Sequence, residues 1–382
     1  MRVLMISSDR TLLSVNSGDA LDRHKKYADL AGQLDIIVFS KKGLKKRKIS
    51  DNLRIYPTNS ITKLNYVINA YEIIRSIYWP DKFDLVVCQD PFLTGLTGWI
   101  IKKRFKVPLL IHFHGDFWQN NYWLKKSKRW WHLFWYNGLL LFLSKFLVNK
   151  ADGIRVVSSG IKDKLIKAGV PKNKVKIIPT LVDLEKFEKY NSTRVKKLKL
   201  ENKNHKMIIN VGLRDPSAKD YPTLFKAINL VYEKYRNLAF YQIGAKICLQ
   251  EKIKGDDNLI LNSLGETGQK ELINYYYASD IYVSSSCNES LGKTLIEAMV
   301  CGLPVVATNT TGSKEIVIDG KNGFLVPIGD SEALAKKILF LLNNPEKAKE
   351  MGQAGKKMVK EKFKQEKILK KVIKFWKELK ND

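Results

Sequence analysis

Short apolar runs alternate along the chain with longer stretches in which apolar residues return every three or four positions. The short runs predict strands at Val3–Ser7, Ile36–Phe39, Leu85–Cys88, Leu109–Phe113, Gly153–Val157 and Lys176–Ile178. The longer stretches, such as Arg23–Ala31 and Lys63–Ile77, have the helical period between them. Strands that alternate with helices in this way argue for βαβ units and a parallel sheet.

The alternation stops over residues 185–206, which are polar and Lys-rich, and resumes at Met207 with the apolar runs MIINVG, LAFYQIG, NLILNS, DIYVSS, PVVAT and GFLVP. Helical periods fit Lys270–Ala278, Lys293–Met299 and Glu332–Leu342. The expected organisation is therefore two doubly wound, Rossmann-like α/β domains facing a central cleft. Residues 1–184 form the first, 185–206 a linker and 207–360 the second. A basic helix over 361–382 is expected to pack back toward the first domain. In open α/β sheets, ligands bind beyond the carboxyl ends of the strands.

Composition changes this picture in one respect. Hydrophobic residues make up 45%, enough for two cores, but 67 Lys and Arg against 38 Asp and Glu give a net charge of +29. Such an excess reflects either a Lys-rich bias spread over solvated faces or an anionic partner: a membrane surface, nucleic acid or a phosphorylated substrate. The charge is locally concentrated, since residues 101–150 hold ten Lys or Arg and one acid, Asp116. The four cysteines (Cys88, Cys248, Cys287 and Cys301) form no CxxC pair, so buried reduced thiols of a cytosolic protein fit better than a zinc site or a disulfide framework. The start MRVLMISSDR reads as a first strand, not a signal peptide. No apolar run reaches the roughly 18–20 residues of a membrane span. The nearest, Gly138–Val148, is shorter and contains Lys145.

The segment 284–308, SSSCNESLGKTLIEAMVCGLPVVAT, carries the clearest chemistry. A strand runs into a polar turn holding Glu289. Leu291, Gly292, Lys293 and Thr294 then begin a helix, and Glu297 lies inside it. A helix start with glycine offers unpaired N–H groups and a positive dipole end, which suit a diphosphate. A loop carboxylate beside it can accept hydrogen bonds from sugar hydroxyls. A second carboxylate farther down the helix can hold a ribose diol. One sugar nucleotide spans these three points.

The spacing Glu289-x7-Glu297, followed by Ala298, Met299, Gly302, Pro304 and Val305, resembles the E-x7-E signature of retaining GT-B glycosyltransferases, family 4 above all. Gly312, Glu315, Asp319, Gly320, Asn322, Gly323 and Pro327 continue the family pattern, with Thr311 in place of its first glycine. The resemblance is nearly continuous over 207–345 and thinner over 1–206. It implies a hexosyl- or N-acetylhexosaminyltransferase that uses a nucleotide-sugar donor, a UDP-sugar before a GDP- or ADP-sugar. The acceptor implied is a glycan or a lipid-linked one, in surface-glycan assembly. No further cofactor is implied.

The resemblance extends residue by residue. In NVGLRDPSAKDYPTL, residues 210–224, it gives Gly212 to the donor site, and Arg214 and Lys219 to the leaving diphosphate, although Arg214 falls one position later than the family's arginine. Such cations offset the charge that grows on a departing diphosphate. No DxD motif stands at a strand end, so a metal-independent reaction is expected. In IHFHGDFW, residues 111–118, His114 matches the histidine that faces the donor sugar, and His112, two positions earlier, is its rival. Gly18 stands where a family double glycine approaches the diphosphate, and Leu264 where a loop holds the base through its backbone.

Residues 117–148 interleave Trp118, Trp123, Trp130, Trp131 and Trp135 with Lys125, Lys126, Lys128 and Arg129. Trp favours the membrane–water interface and Lys or Arg the anionic headgroups, so peripheral docking on the inner face of the cell membrane is one reading. A buried domain helix and a sugar-stacking groove are the others. Two further functions fit parts of the chain: a GT-B relative acting as a sugar-nucleotide hydrolase or phosphorylase, and a basic nucleic-acid-binding protein. The second has no recognised motif behind it.

Overall fold

The computed structural model describes all residues except 15–17, 64, 79–81, 119–130, 213–215, 257 and 382; at 18, 19, 131–137, 216 and 217 only the backbone is described. The chain divides into two compact units, Met1–Leu181 with Glu366–Asp382, and Val182–Gln365.

The first unit carries eight strands: β1 (Arg2–Ser7), β2 (Gln33–Val38), β3 (Arg47–Ser50), β4 (Leu53–Pro57), β5 (Leu85–Cys88), β6 (Leu109–Phe113), β7 (Gly153–Val156) and β8 (Val175–Ile177). Their order is β3-β4-β2-β1-β5-β6-β7-β8, parallel except for β3 against β4. Helices α1 (Gly18–Ala31), α2 (Asn65–Tyr78), α3 (Leu93–Phe105), α4 (Trp131–Lys150) and α5 (Ser159–Lys167) connect them. β1, β5 and β6 are buried along their whole length, as predominantly apolar strands are in a sheet covered on both faces. Gly98 lets α3 lie close on the sheet, because a Cβ there would stand 2.3 Å from the Cys88 sulfur. The C-terminal helix Gln365–Asn381 buries Ile368, Val372, Phe375, Trp376 and Leu379, and Tyr27 packs on Trp376 at 5.5 Å.

The second unit holds β9 (Lys206–Val211), β10 (Leu238–Ile243), β11 (Leu259–Leu264), β12 (Ile281–Ser284), β13 (Val305–Thr308) and β14 (Phe324–Val326). The sheet is parallel throughout, in the order β11-β10-β9-β12-β13-β14. Its longer helices are α6 (Ser192–Glu201), α7 (Tyr221–Lys234), α8 (Gln269–Ala278), α9 (Lys293–Val300), α10 (Ser331–Asn343) and α11 (Pro345–Lys362). Both units are thus Rossmann-like parallel α/β domains.

Two expectations change. Residues 185–206 are not a bare linker: they belong to the second unit and contain α6. The Asn191 side chain caps that helix, and only Val195 and Leu198 are buried in it, which leaves little apolar signal to read. The cysteines are all free, but only Cys88 and Cys301 are buried, while Cys248 is exposed. Among the described residues, no helix is long and apolar enough to cross a membrane.

Candidate active site

Strand order reverses in the second sheet between β9 and β12, so the crevice for a ligand opens at their carboxyl ends. Buried Asn210 ties the two strands there, its Nδ2 donating to the Val283 carbonyl at 2.8 Å. Gly212 follows β9. A Cβ at that position would meet the Tyr221 hydroxyl at 2.7 Å, and the hydroxyl itself donates to the Gly212 carbonyl at 3.0 Å.

Past Gly212 the chain forms a short helical turn, Pro216–Lys219. The loop after β12 is fastened to it: the Cys287 amide donates to the Ala218 carbonyl at 2.9 Å, and the Ser285 hydroxyl to the Lys219 carbonyl at 2.7 Å. These bonds bring together two residues 70 positions apart, and Lys219 Nζ lies 3.0 Å from Glu289 Oε2. Both side chains are about one-fifth exposed, so the pair is reachable from the crevice.

Glu289 is also fixed through its backbone. Its carbonyl accepts from the Gly312 amide at 2.7 Å. A Cβ on Gly312 would come within 2.6–2.7 Å of the backbone of 289–291, so only glycine permits this approach. Gly292 then takes a left-handed conformation, with φ 76°, and sets the start of α9 without a side-chain cap. Leu291 is buried and Thr294 accepts from the Tyr282 hydroxyl at 2.7 Å.

Glu297 sits one turn into α9, buried at 6% exposure. The Tyr276 hydroxyl of α8 donates to its Oε2 at 3.1 Å, and Lys293 Nζ stands 3.8 Å from Oε1. Burial first, and then the charge of Glu297, raises the Tyr276 phenol well above its ordinary pKa, so it stays a donor. Sequence patterning does not reveal Tyr276, because it comes from another helix inside an apolar, aromatic run. Leu264 ends β11, and Gly244 accompanies it, its amide donating to the Leu264 carbonyl at 3.0 Å. A cavity of about 740 Å³ lies alongside, lined by Tyr221, Phe225, Lys226, Gly244, Ile247 and Gly265.

In the second unit the structure therefore gathers Gly212, Lys219, Glu289, Leu291, Gly292, Lys293, Thr294 and Glu297 around the ends of β9 and β12. Arg214 lies outside the described residues.

The first sheet reverses between β1 and β5. Gly18 opens α1. His114 follows β6, partly exposed, with its Nε2 2.7 Å from Gln89 Oε1. Its rival His112 is buried, and neither ring nitrogen has a partner. Burial, and then the Arg155 guanidinium, hold both imidazoles well below the usual histidine pKa. Ser8, Arg10, Tyr66, Asp90 and Phe92 line a cavity of about 230 Å³ at this reversal. Burial raises the Asp90 carboxyl. Among the described residues, no group of three or more His, Cys, Asp or Glu side chains is placed to hold a metal.

Two Rossmann-like domains, one with a cation–carboxylate pair beside a glycine-set helix start, have the make-up of a GT-B glycosyltransferase. Comparison with known proteins specifies the family. Residues 191–358 match the model of glycosyl transferases group 1, and residues 25–186 that of glycosyltransferase family 4. The chain belongs to these group 1, family 4-type glycosyltransferases. It is 29% identical to an uncharacterized glycosyltransferase of Methanocaldococcus jannaschii, over 83% of this chain and 81% of that protein. It is 28% identical to a capsular polysaccharide biosynthesis glycosyltransferase of Staphylococcus aureus, over 59% of this chain and 61% of the other. The fold is similar to that of Anabaena HepE, solved in complex with UDP-glucose, with a TM-score of 0.74 and 17% identity over 99% of this chain and all of that one.

Proposed function

We propose that this enzyme moves a hexosyl or N-acetylhexosaminyl group, with retention and without a metal, from a UDP-sugar to a glycan or lipid-linked acceptor in surface-glycan assembly. The observation that carries the proposal is the Lys219–Glu289 pair, 3.0 Å apart, beside the uncapped start of α9. The same cluster offers a cation and oriented amides for a diphosphate and a carboxylate for hydroxyl groups. Lys219, Arg214 and the amides at 292–294 hold the diphosphate, and Gly212 gives it room. Glu289 binds the sugar and Glu297 the ribose, while the backbone at Leu264 meets the base. In the first unit, Gly18 and His114 keep the diphosphate and sugar roles that the family resemblance gives them.

In the reaction, the bond between the anomeric carbon and the phosphate oxygen breaks, and the acceptor oxygen forms its bond on the same face. The acceptor proton passes to the departing phosphate. The UDP choice is supported by the nucleotide bound in the HepE complex, and the surface-glycan setting by the capsular relative. Docking of residues 117–148 on the inner face of the cell membrane belongs to the same reading; 119–130 lie outside the described residues.

A calorimetric screen of UDP-, GDP- and ADP-sugars tests the donor, with UDP-sugars expected to bind. Glu297→Ala is expected to weaken nucleotide binding by about tenfold or more. Glu289→Ala is expected to cut turnover far more than nucleotide affinity. Wild-type behaviour in both variants would refute the assignment. Nucleotide release at full rate without acceptor would point instead to a hydrolase.

A further inference from the structure

Among the described residues, three helices of the first unit leave an apolar face uncovered. Ile68 on α2 is 60% exposed. With Trp99 and Ile100 of α3 it lines a groove of about 490 Å³. The Trp99 ring meets Phe146 of α4 edge-on at 5.4 Å, so the groove runs on to α4. There Leu139, Phe142 and Phe146 follow at three- and four-residue spacing and are 63%, 69% and 37% exposed. That spacing puts them on one side of the helix. The opposite side, with Leu147 and Val148, is buried.

Cations rim this face. Lys103 and Arg104 border the groove. Lys145 and Lys150 are exposed on α4, and Lys150 Nζ lies 5.3 Å from the centre of the Phe146 ring. The acid on this part of α2, Glu72, is paired with Arg75 at 3.0 Å. A contiguous exposed apolar patch marks an interaction surface. An apolar centre, an interfacial Trp and a ring of Lys and Arg together match the layering of an anionic bilayer, with acyl chains inside and phosphates around them.

We infer that the α2–α3–α4 face docks onto an anionic phospholipid bilayer, with Ile68, Trp99 and Phe142 entering the acyl boundary and Lys103, Arg104, Lys145 and Lys150 meeting the phosphates. This placement rests on the membrane-bound part of the proposed function, and it uses none of the tryptophans at 118–135.

Vesicle co-sedimentation at low salt tests it. The full chain is expected to partition onto vesicles of phosphatidylglycerol and phosphatidylcholine, and weakly onto phosphatidylcholine alone. Ile68→Asp with Phe142→Asp should lower partition at least tenfold, roughly what exposing one apolar side chain costs. Lys103→Glu with Arg104→Glu should lower it on the order of 30-fold, about fivefold per cation, and remove the preference for anionic lipid. Leu200→Asp, at an exposed apolar site of the second unit, should leave binding unchanged. If the aspartate pair shifts the melting temperature, the Ser pair at the same positions replaces it, with the same loss expected. Wild-type partition of the Ile68/Phe142 variant overturns the placement alone. Failure of the unaltered protein to bind anionic vesicles, while it still binds a UDP-sugar, overturns the membrane reading and leaves glycosyl transfer standing.

Discussion

The two units share a fold, yet the ends of their central strands carry opposite chemistry. In the second, charged groups meet: Lys219 and Glu289 stand 3.0 Å apart, and neighbouring backbone is pinned on Glu289 by Gly312. In the first, the imidazoles are held neutral. His24, His112 and His114 all have lowered pKa values, and the Asp90 carboxyl is raised. Under the proposed function, the sheet end of the second unit takes the charged diphosphate, and the neutral imidazoles of the first face uncharged hydroxyl groups. A common scaffold sets where the site lies, and the loops decide what it can hold.

The sharpest way to break this contrast is to remove the cation of the second unit. Lys219→Ala is expected to lower turnover about 1000-fold, the upper end of what one stabilising group of an oxyanion contributes. Lys219→Arg should recover part of it. Initial rates with the donor found by calorimetry measure both, and a change under threefold for the alanine variant would remove Lys219 from the site.

The next largest effect is structural. Gly312→Ala places a Cβ within 2.7 Å of the backbone of three residues around Glu289. Overpacking against backbone of this kind costs about 3 kcal/mol. All eight tryptophans lie in the first unit or its C-terminal helix, so the loss should appear in far-UV dichroism before tryptophan fluorescence changes. Unchanged unfolding by both probes would show that the loop around Glu289 yields freely.

Acid should act on the other unit. His24 is buried, and burial, then the charge of Arg23, lowers its pKa to about 4. The unfolded chain takes up a proton below about pH 6.5 while the folded chain does not, so stability is complete above that pH and falls toward pH 4. From pH 7.5 to 4.5 this histidine alone should remove about 2.5 kcal/mol. His112 and His114 act in the same direction. Urea melts followed by tryptophan fluorescence should show the loss, and His24→Gln should reduce it; equal pH slopes for the two proteins would count against the buried, neutral imidazole.

These contrasts show how much the sequence reveals and where it stops. Leu85–Cys88 is legible to the residue because a doubly covered strand is one unbroken apolar run, and Leu109–Phe113 is legible although His112 interrupts its run. The edge strand Arg47–Ser50 is not, since three of its four residues are polar and its register is irregular. The loop, helix start and second carboxylate of 289–297 are legible because their geometry is local. What is not legible comes from long range: the Lys219–Glu289 pair depends on bonds between Ser285, Cys287 and the turn at 218–219, and the Glu297 donor comes from α8.

That donor supplies the smallest effect and the finest test of how the second unit sets its charge. The Tyr276 hydroxyl reaches Glu297 Oε2 at 3.1 Å within a fully buried ring that packs against Phe187 and Tyr282 at 6.4 and 6.1 Å. Tyr276→Phe keeps those ring contacts and deletes one hydrogen bond. The carboxylate then loses one orienting partner, and nucleotide affinity should fall by about 1 kcal/mol, roughly fivefold. If Tyr276 acts through Glu297, the same substitution made on Glu297→Ala should have almost no further effect on nucleotide binding. Calorimetry on the two single variants and the double variant closes the cycle. Additive losses would mean that Tyr276 serves the site by some route other than Glu297.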